Sequence, residues 1–142
     1  MLFEGERFEA SLRKPAGWND HVYRYCEFIG IDTEGGNVDS AFIGCTIERC
    51  TWYWGLFNCA LFVNVKFTNC TFRGTSFGGC KFVECEFVDC HFVKDNLNGA
   101  CSFEDIAWYK CTQTRCPGLE AEFLSRPPAS RRPVAKYAKG RA

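Results

Sequence analysis

Between residues 40 and 99 the chain divides without a break into five-residue blocks. Their middle positions are Phe42, Ile47, Trp52, Phe57, Phe62, Phe67, Phe72, Phe77, Phe82, Phe87, Phe92 and Leu97. One extra residue, Ala100, then shifts the frame; Phe103 and Trp108 resume it and Gln113 ends it. A period of five matches neither the 3.6 of an amphipathic helix nor the 2 of a strand alternating between core and solvent. The pattern predicts a chain that turns once per block and coils around a stack of the large side chains. Polar or glycine residues recur two positions after the centre, at Asn64, Asn69, Gly74, Gly79, Glu84, Asp89 and Gly99, where such a coil needs its corners.

Two positions before the centre the residue is small. Ten of the eleven cysteines stand there or at its continuation: Cys26, Cys45, Cys50, Cys70, Cys80, Cys85, Cys90, Cys101, Cys111 and Cys116. A compact, weakly polar thiol fits beside large rings, so these cysteines read as packing material. With a small residue two steps before a large apolar centre, the stretch 40–116 resembles the pentapeptide-repeat family, and residues 21–25 and 26–30 match it more weakly. The resemblance implies an all-β fold, a right-handed four-sided parallel β-helix with four blocks per coil.

Residues 20 apart then stack at about 4.8 Å. The expected columns are Phe42, Phe62, Phe82 and Phe103 on the first side, and Ile47, Phe67, Phe87 and Trp108 on the second. Trp52, Phe72, Phe92 and Gln113 follow on the third, and Phe57, Phe77 and Leu97 on the fourth. A ladder of Cys50, Cys70, Cys90 and Cys111 is expected on the third side. It would spread its sulfurs over roughly 14 Å, too far for tetrahedral ligation, so no metal is expected.

An open coil exposes core and unpaired backbone at both ends. Residues 1–39 are expected to form an irregular N-terminal cap with a partial first coil. There Phe3, Phe8, Trp18, Tyr23 and Phe28 close the bottom, between loops at 14–17 and 33–37. The repeat proper is placed at 40–116. Pro117 and Gly118 break it, and residues 117–124 suit a short capping helix with Leu119, Phe123 and Leu124 on one face. Residues 125–142 read as a flexible basic tail.

Charge sharpens that division. The chain carries 17 basic and 17 acidic side chains, yet residues 1–118 are net −4 and residues 119–142 net +4. No stretch approaches the roughly 20 apolar residues of a membrane span, and the N-terminus lacks the basic-then-apolar order of a signal peptide. A cytoplasmic location is expected, with the odd number of cysteines reduced.

Catalytic chemistry finds little support. His21 lies in the irregular N-terminal stretch, and His91 is expected to face solvent beside Cys90, on the opposite face of the strand. Glu84, Glu86 and Asp89 fall at corner and face positions, and no phosphate-binding glycine motif occurs. The sequence therefore predicts no enzyme, no cofactor and no nucleotide site.

What remains is the outer surface. Ala41, Ile43, Leu61, Val63 and Val83 should gather on the first side as a patch for a protein partner or a second copy of the chain. Tyr53 and Trp54 mark a second candidate contact on the third side. The expected function is a noncatalytic protein-binding scaffold with an unidentified protein partner, including a homodimer. The resemblance implies an alternative: its best understood members resemble B-form DNA in shape and negative charge, occupy the DNA groove of type II topoisomerases and protect gyrase from poisons. An immunity or antidote role against a toxin belongs with that alternative. Nucleic acid binding rests on the basic tail alone.

Overall fold

A computed structural model describes residues 1–124 of the 142-residue chain. The basic tail expected over 125–142 lies outside the described residues. Each block but that at 95–99 becomes one short strand with its centre turned inward, followed by a corner. In the coil made by Leu61–Val63, Lys66–Thr68, Thr71–Arg73 and Ser76–Gly78, the rings of Phe62, Phe67, Phe72 and Phe77 are all buried. Corner residues take the left-handed conformation, with φ of +55° at Asn64 and Asn69 and +54° at Asp89, which Asn and Asp tolerate better than most residues. The corner amides are not orphaned: Asn64 N donates to the Val83 carbonyl one coil on, at 2.8 Å.

Four parallel sheets form the walls. The first side pairs, in order, Leu2–Glu4, Val22–Arg24, Ala41–Ile43, Leu61–Val63, Lys81–Val83 and Ala107–Tyr109. The second side also has six strands, and the third and fourth have four each. Parallel in-register pairing places like rings over like rings. Phe42 and Phe62 stack at 4.9 Å and 4°, Phe62 and Phe82 at 4.9 Å and 4°, and Phe67 and Phe87 at 4.5 Å and 4°. Those separations are close to the interstrand spacing, so the backbone repeat and the ring stack reinforce each other. Each such side chain taken out of water contributes about 1.5–3 kcal/mol.

The small column does more than fill space. The thiol of Cys70 donates to the Ile47 carbonyl at 3.3 Å, that of Cys80 to Phe57 at 3.4 Å and that of Cys85 to Phe62 at 3.4 Å. Thr75 and Ser40 do the same with hydroxyls, toward the Trp52 and Trp18 carbonyls. Where the position holds Cys, Ser or Thr, the side chain both fits and donates; Ala60, Val65 and Ile106 fill it without a donor.

Register above the third side differs from expectation. Phe82 pairs with Trp108, Phe77 with Phe103 and Phe87 with Gln113, so Trp108 joins the first column, Phe103 the fourth and Gln113 the second. The ladder over Cys50, Cys70 and Cys90 ends at Cys116, whose sulfur accepts from Cys90 N, while Cys111 donates to the Phe82 carbonyl. Leu97 is no core residue; it is 78% exposed. The reason is arithmetic: in a period of five, an insertion of one residue and an insertion of six look alike. The block at 95–99 is a loop, because the Asp95 carboxylate accepts from Leu97 N (2.8 Å) and Gly99 N (2.7 Å) and closes it on itself.

At the other end, strands already run through Leu2–Glu4 and Arg7–Glu9, and residues 10–21 then stand in for two sides of the first coil. The loop expected at 33–37 is instead the strand Asp32–Glu34, a glycine corner and the strand Asn37–Val38. Trp18 folds back under the axis against Phe28, Phe42 and Trp52, and its Nε1 donates to Thr33 Oγ1 at 2.9 Å. At the top the helix Leu119–Leu124 buries Leu119 and sets Phe123 5.0 Å from Trp108.

Candidate interaction surfaces

With the strand centres turned inward, the outer rows of the sheets are the available surface. On the first side, register aligns Leu2, Val22, Ala41 and Leu61 in one row. Ile43, Val63, Val83 and Tyr109 align in the other. The five residues expected to form a patch thus lie together, half-buried by their neighbours. The structure lengthens the patch to a stripe: Leu2 and Val22 extend it downward at 53% and 37% exposure, and Tyr109 extends it upward. Lys81 interrupts the first row, and Lys110 rests over the Tyr109 ring. Val22 was legible in the weak match at 21–25; Tyr109 was hidden by the frame shift.

The second side has a different character. Arg7 pairs with Glu9 and with Glu27, Lys66 lies in register with Glu86, and Arg115 grips Asp89 through two bonds of 2.6 and 3.1 Å. The guanidinium holds the Asp89 carboxyl below the usual carboxylate range. Signs alternate here, so this wall offers no single-sign field. Glu84, Glu86 and Asp89 occupy two different corners and a face.

The third side is interrupted. Its strands run Asp32–Glu34, Thr51–Tyr53, Thr71–Arg73 and His91–Val93, and above them the loop at 94–101 leaves the coil. Trp54, at a corner with φ +60° and 40% exposed, donates from Nε1 to Asp95 Oδ2 at 2.7 Å. Tyr53 accepts from Asn96 N at 3.2 Å, and the two rings meet at 88° with centroids 4.3 Å apart. Arg73 adds a bond to the Lys94 carbonyl at 2.9 Å. Gly74 makes this approach possible, since a Cβ there would stand 2.8 Å from that of Asp95. The loop amides and the Trp54 indole together hold the Asp95 carboxyl below its ordinary range. Beside the rings lies a recess of about 540 Å³, lined also by Asp32, Thr33, Glu34, Thr51 and Asn96.

The buried thiols of Cys45 and Cys50 are poor nucleophiles and ligands in this setting. Burial pushes Cys45 and Cys50 up to about 11, so both carry their protons at neutral pH. Among the described residues no three His, Cys, Asp or Glu side chains converge in the manner of a metal site. His91 is exposed on the third face, while His21 is partly buried with its ring 5.3 Å from that of Phe3.

Comparison with known proteins agrees with the geometry. Residues 60–101 match the model described as pentapeptide repeats, in 8 copies. No curated protein sequence matches the chain. Among solved structures, a trypsin-treated form of QnrB1, a plasmid-mediated fluoroquinolone resistance protein, superposes with a TM-score of 0.58 at 13% identity, over 78% of this chain and 54% of that one. The chain thus spans about half the length of that neighbour. Full-length QnrB1 gives a TM-score of 0.50 at 12% identity, over 83% of this chain and 70% of its own. At these identities the likeness is one of fold. Residues 60–101 thus carry pentapeptide repeats, and the four-walled coil that they build with the blocks on either side has the fold of the pentapeptide-repeat structures.

Proposed function

We propose that the protein is a noncatalytic binding scaffold that meets a protein partner, or a second copy of itself, through the first face. The observation that carries this reading is the apolar stripe on the first face. Val22, Leu61, Ile43, Val63 and Val83 stand in two aligned rows on a flat sheet whose neighbouring wall carries alternating charges. A rigid stacked core suits such a role, because side chains on its walls are held at fixed spacing before binding. The six-residue helix is far too short to cross a membrane, and eleven free thiols favour a reducing compartment, the cytoplasm.

The test is Val63→Glu combined with Val83→Glu. Both side chains point outward, so the fold is expected to persist. Partner capture or oligomer mass, measured by affinity purification and light scattering, is expected to fall; unchanged values in both would remove the stripe from consideration.

A second reading draws on the coil's likeness to QnrB1, named for fluoroquinolone resistance: contact with a type II topoisomerase. Mimicry of a phosphate backbone calls for a strongly negative exterior, whereas residues 1–118 are net −4 with Lys66, Arg73 and Lys81 on the coils and Lys94 at the start of the inserted loop. A gyrase supercoiling assay with and without a fluoroquinolone decides it: neither inhibition nor protection ends that reading.

A further inference from the structure

The third face carries a site of different chemistry from the stripe. We propose that the recess beside Tyr53 and Trp54 receives the guanidinium of an arginine side chain from a basic peptide segment of a partner. This rests on the reading of the protein as a binding scaffold and adds a ligand class to a second wall.

Four observations converge on it. First, the strand Asp32–Glu34 pairs with Thr51–Tyr53 so that Glu34 stands directly beside Tyr53, and Asp32 beside Thr51. Second, no salt bridge engages either carboxylate among the described residues, although Glu4, Glu9, Glu27, Glu48 and Asp89 all have basic partners. Third, both rings line the recess at 88° to each other, as two walls of a corner. Fourth, these rings are not loose: the loop at 94–101 fastens Trp54 through Asp95 and Tyr53 through Asn96. Trp54 also shares the left-handed conformation that the other corners of the coil adopt, so its backbone is set by the fold.

Aromatic faces with unpaired carboxylates select an organic cation. A planar guanidinium satisfies both: it stacks on a ring and offers several donors to carboxylate and hydroxyl oxygens, whereas an ammonium does the second alone. A volume of about 540 Å³ exceeds what one such group fills, leaving room for the stem and the flanking peptide. The departure from the five-residue period thereby has a use: it braces an aromatic corner over an acidic edge.

The test is a titration of the whole protein with a capped five-residue peptide, arginine at its centre between serines and glycines, read by the Trp54 indole NMR signal. That signal is assigned by Trp54→Phe. The peptide is expected to shift it saturably and more weakly as salt rises. Asp32→Asn with Glu34→Gln, shown by circular dichroism and melting to keep the fold, is expected to weaken binding by about tenfold. A peptide with uncharged citrulline in place of arginine is expected not to bind. Equal binding of the citrulline peptide, equal shifts from tetramethylammonium, or no saturable shift with arginine would each overturn the proposal. Failure here leaves the first face untouched, because Val63→Glu with Val83→Glu is read by oligomer mass and partner capture. Loss of the stripe contact alone would spare the recess.

Discussion

The first and third walls are built from the same block, yet they do opposite things with it. On the first wall six strands follow one another in unbroken register, and the outer rows are flat and largely apolar, broken by Lys81 in one and by the Glu4–Arg24 pair in the other. On the third the coil stops after four strands, and the chain spends the residues of a missing block on a loop that returns to brace Trp54 and Tyr53. Regular stacking yields a broad surface without recesses, because every strand repeats the one beneath. Concavity on such a coil arises where the repeat is broken, since only an inserted segment rises above the wall and reaches back over it.

Removing what the two walls share should have the largest effect. Phe62 lies between Phe42 and Phe82 with no exposure, so Phe62→Ala leaves a cavity that the stacked coils cannot close. A loss of about 3–5 kcal/mol is expected in denaturant unfolding, with both surfaces failing together. A loss below about 1 kcal/mol would mean that the rings do not carry the coil.

A smaller change should separate the walls. Gly74 holds φ +57° with Asp95 against it, so Gly74→Ala must displace the loop. The expected cost is about 1–3 kcal/mol, with the Trp54 indole signal displaced and first-face contacts unaltered. If the indole signal stays in place, the loop does not position Trp54.

Acid should act most gently and only on the third wall. The Asp95 carboxyl, held low by its loop amides and by Trp54, stabilises the loop fully at pH above the ordinary carboxylate value. That contribution is lost as pH falls through its lowered value. The Trp54 signal should therefore move only at pH below the ordinary carboxylate range, and Asp95→Asn should abolish the step. A transition at or above that range would contradict the bracing contacts.

Much of this is legible in the amino-acid sequence. The centres from Phe42 to Phe92, the small position two before them and the turn residues two after them define a coil, because each has a single role in it. Ala41, Ile43, Leu61, Val63 and Val83 could be grouped from spacing alone, for they lie on strands in strict register. The recess could not. Asp32 and Glu34 sit in a stretch rich in turn residues that reads as a loop, and their neighbour in space is set by pairing across a coil that is 19 residues long rather than 20.

The amino-acid order thus determines, unaided, that the backbone winds around stacked rings, since a five-residue period of large apolar centres has no other way to be buried. Where each wall ends is a different matter. A pattern repeating every five residues is blind to whole blocks, so Leu97 fits it as well as Phe92 does. Only the closing of the Asp95 carboxylate on its own loop amides, and the fit of Trp108 over Phe82, decide which block leaves the coil and which aromatic rings it braces.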